Sequence, residues 1–146
     1  MDSQKFLQKF SQSLGTLESE LECEEDEVHS NIFVMGLPRS GSTLLTQILY
    51  NNTDLYCTNN LIARFWDTPL IGTQLSKLTI PKVALSEYES FYGRTLGIDQ
   101  PHEFSRFWQQ AIKLDDFESY DPQTIAEDID WPGIKSKILN MNKILG

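Results

Sequence analysis

Apolar residues recur every three or four positions at Phe6, Phe10, Leu14, Leu17 and Leu21. That spacing predicts an N-terminal amphipathic helix with one stripe turned to the core. The acidic run from Glu18 to Glu27 ends it and reads as a solvated linker. Residues 1–30 are therefore expected to be a helix and acidic linker ahead of a larger unit at 31–146. Asn31 to Met35 is a short apolar run bounded by turn residues, the pattern of a buried parallel strand. Leu44, Leu45, Ile48 and Leu49 return to helical spacing, in a helix that Ser42 caps and Asn51-Asn52 stops. Leu55-Tyr56-Cys57 suits a second strand. Asn59-Asn60 opens a helical stretch, Leu61 to Trp66, which Pro69 kinks or ends. Ser86 to Tyr92 reads as a helical turn, and Gly93 and Gly97 mark turns. Asp99 and Pro101 form a helix-start signal ahead of Phe104, Phe107, Trp108 and Ile112. Ile134, Ile138, Met141 and Leu145 give a last amphipathic helix, closed by Gly146.

Between the first strand and its helix lies Gly36-Leu37-Pro38-Arg39-Ser40-Gly41-Ser42-Thr43. Strand, glycine-bounded loop and helix together aim backbone N–H groups at one point beside the positive end of a helix dipole. The spacing is that of a Walker A loop, except that Ser42 stands where the lysine belongs. Arg39 is the loop's single cation. An anion cradle is expected, with its charge shifted away from the position used in ATP or GTP hydrolysis. Such a unit implies an α/β fold, a P-loop-type doubly wound parallel sheet with flanking helices. Only two strands are legible, and the sequence stops where the next parallel strand is due. The expectation is an incomplete sheet, the N-terminal part of a larger domain.

Composition narrows the partners. The chain has 146 residues and a net charge of −9, which argues against a nucleic-acid surface. An anion must then be held by local geometry and not by the field of the whole protein. Cys23 and Cys57 make no disulfide framework, no apolar stretch is long enough to span a bilayer, and no signal peptide is visible. A cytoplasmic location is expected. His29 has no metal-ligand partner at useful spacing, so no metal site is expected.

The segment Phe33 to Leu45, with a proline, a cation and then Ser-Gly-Ser-Thr after an apolar strand, resembles the 5′-phosphosulfate loop of sulfotransferases that use 3′-phosphoadenosine 5′-phosphosulfate (PAPS). The resemblance continues through Asn59 to Trp66, Tyr92-Gly93-Arg94-Thr95 and Pro101-His102-Glu103-Phe104, and is nearest a bacterial branch. It implies sulfuryl transfer from PAPS to a small-molecule or glycan acceptor. It places the 5′-phosphate on Pro38, Arg39, Ser40, Gly41, Ser42 and Thr43, with Arg39 at the family's basic position. Because the leaving group is already a good anion, no metal is required. Many members of the family use a histidine as base and others a glutamate just after the second strand; the comparable place here holds Asn59-Asn60, and an amide cannot take a proton. His102 and Glu103 remain as candidates for that role. Asn60 and Arg64 are the acceptor-side candidates, with Arg94 a further arginine able to meet an anionic acceptor. The element that holds the 3′-phosphate in the family lies beyond the last residue here, which leaves turnover by this chain alone in question. Two competing readings stand. A kinase-like P-loop nucleotide-binding protein is disfavoured by Ser42 and by the lack of a Walker B aspartate. A non-catalytic truncated relic is favoured by the missing 3′-phosphate element.

Overall fold

The computed structural model describes residues 2–23, 30–37, 39–83, 88–113 and 129–146. Their elements are helices α1 (Ser3–Ser13), α2 (Gly15–Glu20) and α3 (Ser42–Asn52), a 3₁₀ turn (Ile62–Phe65), then α4 (Pro69–Thr79), α5 (Ser105–Ala111) and α6 (Trp131–Leu145). Among the described residues there is no strand and no sheet; the β-type pairing consists of isolated bridges, Asn59 with Pro101 and Phe91 with Arg94. The expected doubly wound α/β sheet is therefore corrected to a helical arrangement. A strand exists only through a ladder with a neighbour. Asn31 to Met35 and Leu55 to Cys57 have none, and Ile32, Phe33 and Met35 stand 60, 57 and 89 % exposed. Apolar content alone did not bury them.

The core gathers Ile62, Leu70, Phe104, Phe107 and Met141, with Leu21, Ala63, Trp66, Trp108, Ala111 and Ile144 packed around it. Phe104 and Phe107 stack with ring centroids 4.6 Å apart, and Trp108 meets Phe107 edge-on. Helix α4 is the centre of this packing, lying against α6 and the 3₁₀ turn. Gly72 makes the second contact possible. A Cβ there would stand 2.8 Å from the Phe65 Cβ and 3.2 Å from the Ile62 backbone. Pro69, expected to end a helix, instead begins α4 in the first-turn position where its missing N–H costs nothing.

Thr68, ahead of α4, makes no side-chain cap. The buried carboxylate of Glu18 does so from another helix, accepting from Leu70 N and Ile71 N at 2.9 Å each. A negative group at a helix N-terminus is electrostatically favoured. Burial nevertheless raises the Glu18 pKa, with the two backbone donors and Lys137 opposing. Asp67 is shifted the same way, also by burial first.

Two expected faces are revised. On α3, Gln47 and Tyr50 are buried, whereas Leu44, Leu45 and Ile48 are 47, 48 and 41 % exposed. Gln47 is held inside by its amide, which donates to Glu89 O and Gln100 Oε1. The N-terminal stripe breaks at Leu14 into α1 and α2, with Phe6, Phe10 and Leu17 about half exposed and Leu21 reaching the core. The expected helix after Asp99 begins later, at Ser105. Helix α6 runs as read from the sequence, with Ile134 and Met141 buried and Gly146 closing it at φ 92°. Asn140 accepts from Cys23 N and Asn142 donates to Asn31, so α6 tethers the chain on both sides of residues 24–29. No helix among the described residues is long and apolar enough to cross a membrane.

Gly72→Ala is expected to destabilise the fold by about 1–3 kcal/mol, since backbone must yield; urea unfolding measures it, and an unchanged midpoint would refute the close approach. A raised carboxyl pKa gives stability that is full below the unfolded value, 4.5 for Glu18, and lost as pH climbs through the folded one. The stability of wild type relative to Glu18→Gln should therefore fall as pH rises, narrowing any gap in its favour. Unfolding curves at several pH values test this, and a widening gap would show the opposite sign.

Candidate active site

The loop before α3 is bent by left-handed residues. Arg39 has φ 71° and Gly41, the residue capping α3, has φ 87°. For Gly41 the angle itself requires glycine, and a Cβ there would meet nothing within 4 Å, so the bend opens to solvent. A Cβ on Gly36 would meet Ser40 Oγ, a contact that rotation of the hydroxyl relieves. The Ser40 N–H turns back to Leu37 O at 3.1 Å. No side chain caps α3. Ser42, expected as the cap, is instead its first residue, because the left-handed turn puts Gly41 at the boundary. The first-turn N–H groups have no partner within the helix, the usual basis of an anion site. Pro38, like His29, lies outside the described residues.

Facing this loop is a cavity of about 310 Å³ lined by Asn60, Tyr92, Gly93, Arg94, Thr95, His102, Glu103 and Ser105. Three antiparallel backbone hydrogen bonds assemble it: Asn60 N to Gln100 O, Leu61 N to Ile98 O and His102 N to Thr58 O. Thr58 Oγ1 adds a bond to His102 O at 2.8 Å. The Asn60 amide nitrogen donates to Thr95 O, Thr95 Oγ1 and Gly97 O, which consumes its donors and leaves Oδ1 as the end still able to accept. The third wall is a tight turn in which Phe91 and Arg94 exchange both backbone hydrogen bonds. Its central residues, Tyr92 at φ 51° and Gly93 at φ 78°, carry the positive angles of a type I′ turn.

Loop and cavity meet at three points. Thr43 Oγ1 donates to Glu103 Oε1 at 3.4 Å. A Cβ on Gly93 would stand at ordinary contact distance, 3.4 Å from Glu103 Oε1 and 3.7 Å from Thr43 Oγ1, so the turn lies beside both and it is the φ of 78° that favours glycine. The Arg39 guanidinium lies over the Tyr92 ring, 5.1 Å from its centroid. Of the residues expected to act, the structure thus brings together Arg39, Thr43, Asn60, His102 and Glu103, with Ser40, Gly41 and Ser42 in the same loop. Arg64 is exposed on the 3₁₀ turn and does not line the cavity.

His102 and Glu103 have different chemical capacities. The Phe104 N–H donates to His102 Nδ1 at 2.8 Å, so the neutral ring carries its proton on Nε2. Burial lowers the His102 pKa, against the opposing charge of Glu103. The imidazole is a neutral donor at Nε2 and has no free lone pair for a proton. Glu103 is exposed and keeps acceptor capacity beyond its Thr43 contact. Thr95, only 9 % exposed, was not singled out from the sequence, although its hydroxyl bridges Asn60 to Pro101 O. A threonine two residues after a Tyr-Gly turn carries no signal of that role.

The Sulfotransferase family model matches residues 31–123, more than half of the chain and all of the loop and cavity. Neither the curated proteins nor the solved structures gave a match. A nitrogen-edited NMR titration should find His102 as the Nε2–H tautomer with a midpoint below the ordinary 6.5. A midpoint above that value, or a proton on Nδ1, would contradict the assignment.

Proposed function

We propose that this chain, which belongs to the sulfotransferase family, carries a sulfuryl group from PAPS to a hydroxyl of a small, polar acceptor seated in the 310 Å³ cavity. The observation that carries this reading is the join between the loop and the cavity. One loop offers an open bend, an uncapped helix start and a cation without a carboxylate partner among the described residues. A carboxylate lies against it, on the cavity side. Those features suit a phosphosulfate. Bound PAPS would supply an activated sulfuryl group on a phosphate leaving group.

The chain's own residues supply position and charge. Gly41 to Thr43 would hold the 5′-phosphate through backbone N–H groups, with the hydroxyls of Ser40, Ser42 and Thr43; the Ser40 N–H is bonded to Leu37 O, and the Thr43 hydroxyl must turn from Glu103. Arg39 offers a planar fork to the oxygens on which charge accumulates. Glu103 takes the proton of the acceptor hydroxyl. His102 donates its Nε2–H to an oxygen in the cavity, and Asn60 Oδ1 receives a second acceptor hydroxyl. The lining is polar except for the Tyr92 ring, while Phe65 and Phe107 are buried and Trp66 and Trp108 pack on the core. A polyhydroxylated or charged acceptor fits such walls better than a flat apolar one.

A second reading, an anion-binding chain without turnover, is favoured by the lack of a sheet behind the loop among the described residues. Calorimetry with 3′-phosphoadenosine 5′-phosphate in the absence of metal, against ATP with Mg²⁺, tests the donor assignment. Binding of the bisphosphate alone is expected, and metal-dependent ATP binding in its place would refute it. Transfer of radiolabelled sulfate then separates the two readings. Arg39→Ala should lower the rate about 10²–10³-fold and Glu103→Gln about 10²–10⁴-fold. An unchanged rate in either variant removes that residue from the mechanism.

A further inference from the structure

We propose that Tyr92 is a positioning residue for Arg39, holding the guanidinium toward the anion bend while leaving all of its N–H donors free. The inference rests on the donor reading above and goes beyond it in giving the exposed turn a role. Its evidence is geometric. Arg39 and Tyr92 come from separate segments, and both are non-glycine residues in the left-handed region, at φ 71° and 51°. Such angles are costly for ordinary residues and persist where surrounding structure enforces them. The two strained residues touch each other, with the guanidinium carbon 5.1 Å from the ring centroid.

Stacking does here what an ion pair does not. A carboxylate partner would fix the arginine by occupying its N–H groups and neutralising its charge. The face of a phenol ring attracts the cation through its quadrupole and leaves the in-plane N–H edge unengaged. Arg39 has no carboxylate partner among the described residues, although the whole chain is acidic, with a charge of −9. The backbone of the turn that carries Tyr92 is closed by Phe91–Arg94 hydrogen bonds of 2.8 and 3.0 Å, and the Tyr92 ring has a neighbour, packing edge-on against Phe91 at 4.6 Å. The ring is 74 % exposed and has no place in the core, so packing does not account for it.

The test is a double-variant cycle on the full chain, read as the dissociation constant of 3′-phosphoadenosine 5′-phosphate by calorimetry, with circular dichroism checking that each variant folds. Tyr92→Ala should weaken binding about 2- to 5-fold, the range of an exposed cation–π contact. Tyr92→Phe keeps the ring face and should bind as wild type does. Adding Tyr92→Ala to Arg39→Ala should cost nothing further. Equal losses in Tyr92→Phe and Tyr92→Ala, a full additional loss in the double variant, or unchanged affinity in Tyr92→Ala would each overturn the inference while leaving the donor reading intact. Failure of the wild-type chain to bind the bisphosphate would overturn both.

Discussion

Three backbone hydrogen bonds between residues 58–61 and 98–102 hold the molecule's chemistry to its core. The two segments are about forty residues apart in sequence and form no strand pair beyond the single bridge at Asn59 and Pro101. On one side of this pairing stand Asn60 and His102, in the cavity wall. On the other, Asn59 accepts from Leu61 N and Ile62 N through its Oδ1, donates to Ser76 Oγ, and starts the 3₁₀ turn that buries Ile62. Phe104, two residues after His102, enters the same core. Position of the reactive groups and burial of the apolar ones are thus set by the same few bonds, and loss of either side loosens the other.

The electrostatics follow a similar economy. An acidic chain repels anions at long range, so an anion can be held only by donors within contact distance. In the proposed function those donors would be a helix start, a hydroxyl-rich loop and one arginine. The Glu103 carboxylate is the acceptor for Thr43 in the structure described. In the proposed function it would receive a proton there, and an arriving oxyanion would displace its hydroxyl partner. Burial elsewhere pushes ionisable groups toward neutrality: Cys57, pushed up to about 12, is an inert thiol in the working pH range.

The bend of the loop and the helix that follows it were legible in the sequence, because a loop of glycines, serines and an arginine before a helix has local causes. The helix after the loop needed no knowledge of the rest, although its cap fell on Gly41 and not on the expected Ser42. Helix α6 was legible for the same reason, its apolar period and terminal glycine being local signals. The expected sheet was a misreading, because an apolar run states only that burial is available, and a ladder requires a partner elsewhere. The buried face of α3 was misread since leucines outnumber the glutamine that is in fact enclosed. Gln47 is buried at a hydrogen-bonding position whose acceptors, Glu89 O and Gln100 Oε1, lie 42 and 53 residues away. Glu18 was hidden likewise: it sat in an acidic run read as solvated, yet it caps a helix 52 residues on. Long-range polar pairing has no sequence period, whereas helix starts and turns do.

The proposed reading turns on whether the backbone N–H groups at the start of α3 take an oxyanion. Amide chemical shifts in ¹H–¹⁵N spectra, followed as 3′-phosphoadenosine 5′-phosphate is added without metal, test this most directly. The account predicts that the largest shifts fall on Ser40 to Leu44, with smaller ones at Tyr92 and Glu103. Unmoved loop amides, or a response centred on α4 and α6, would contradict it.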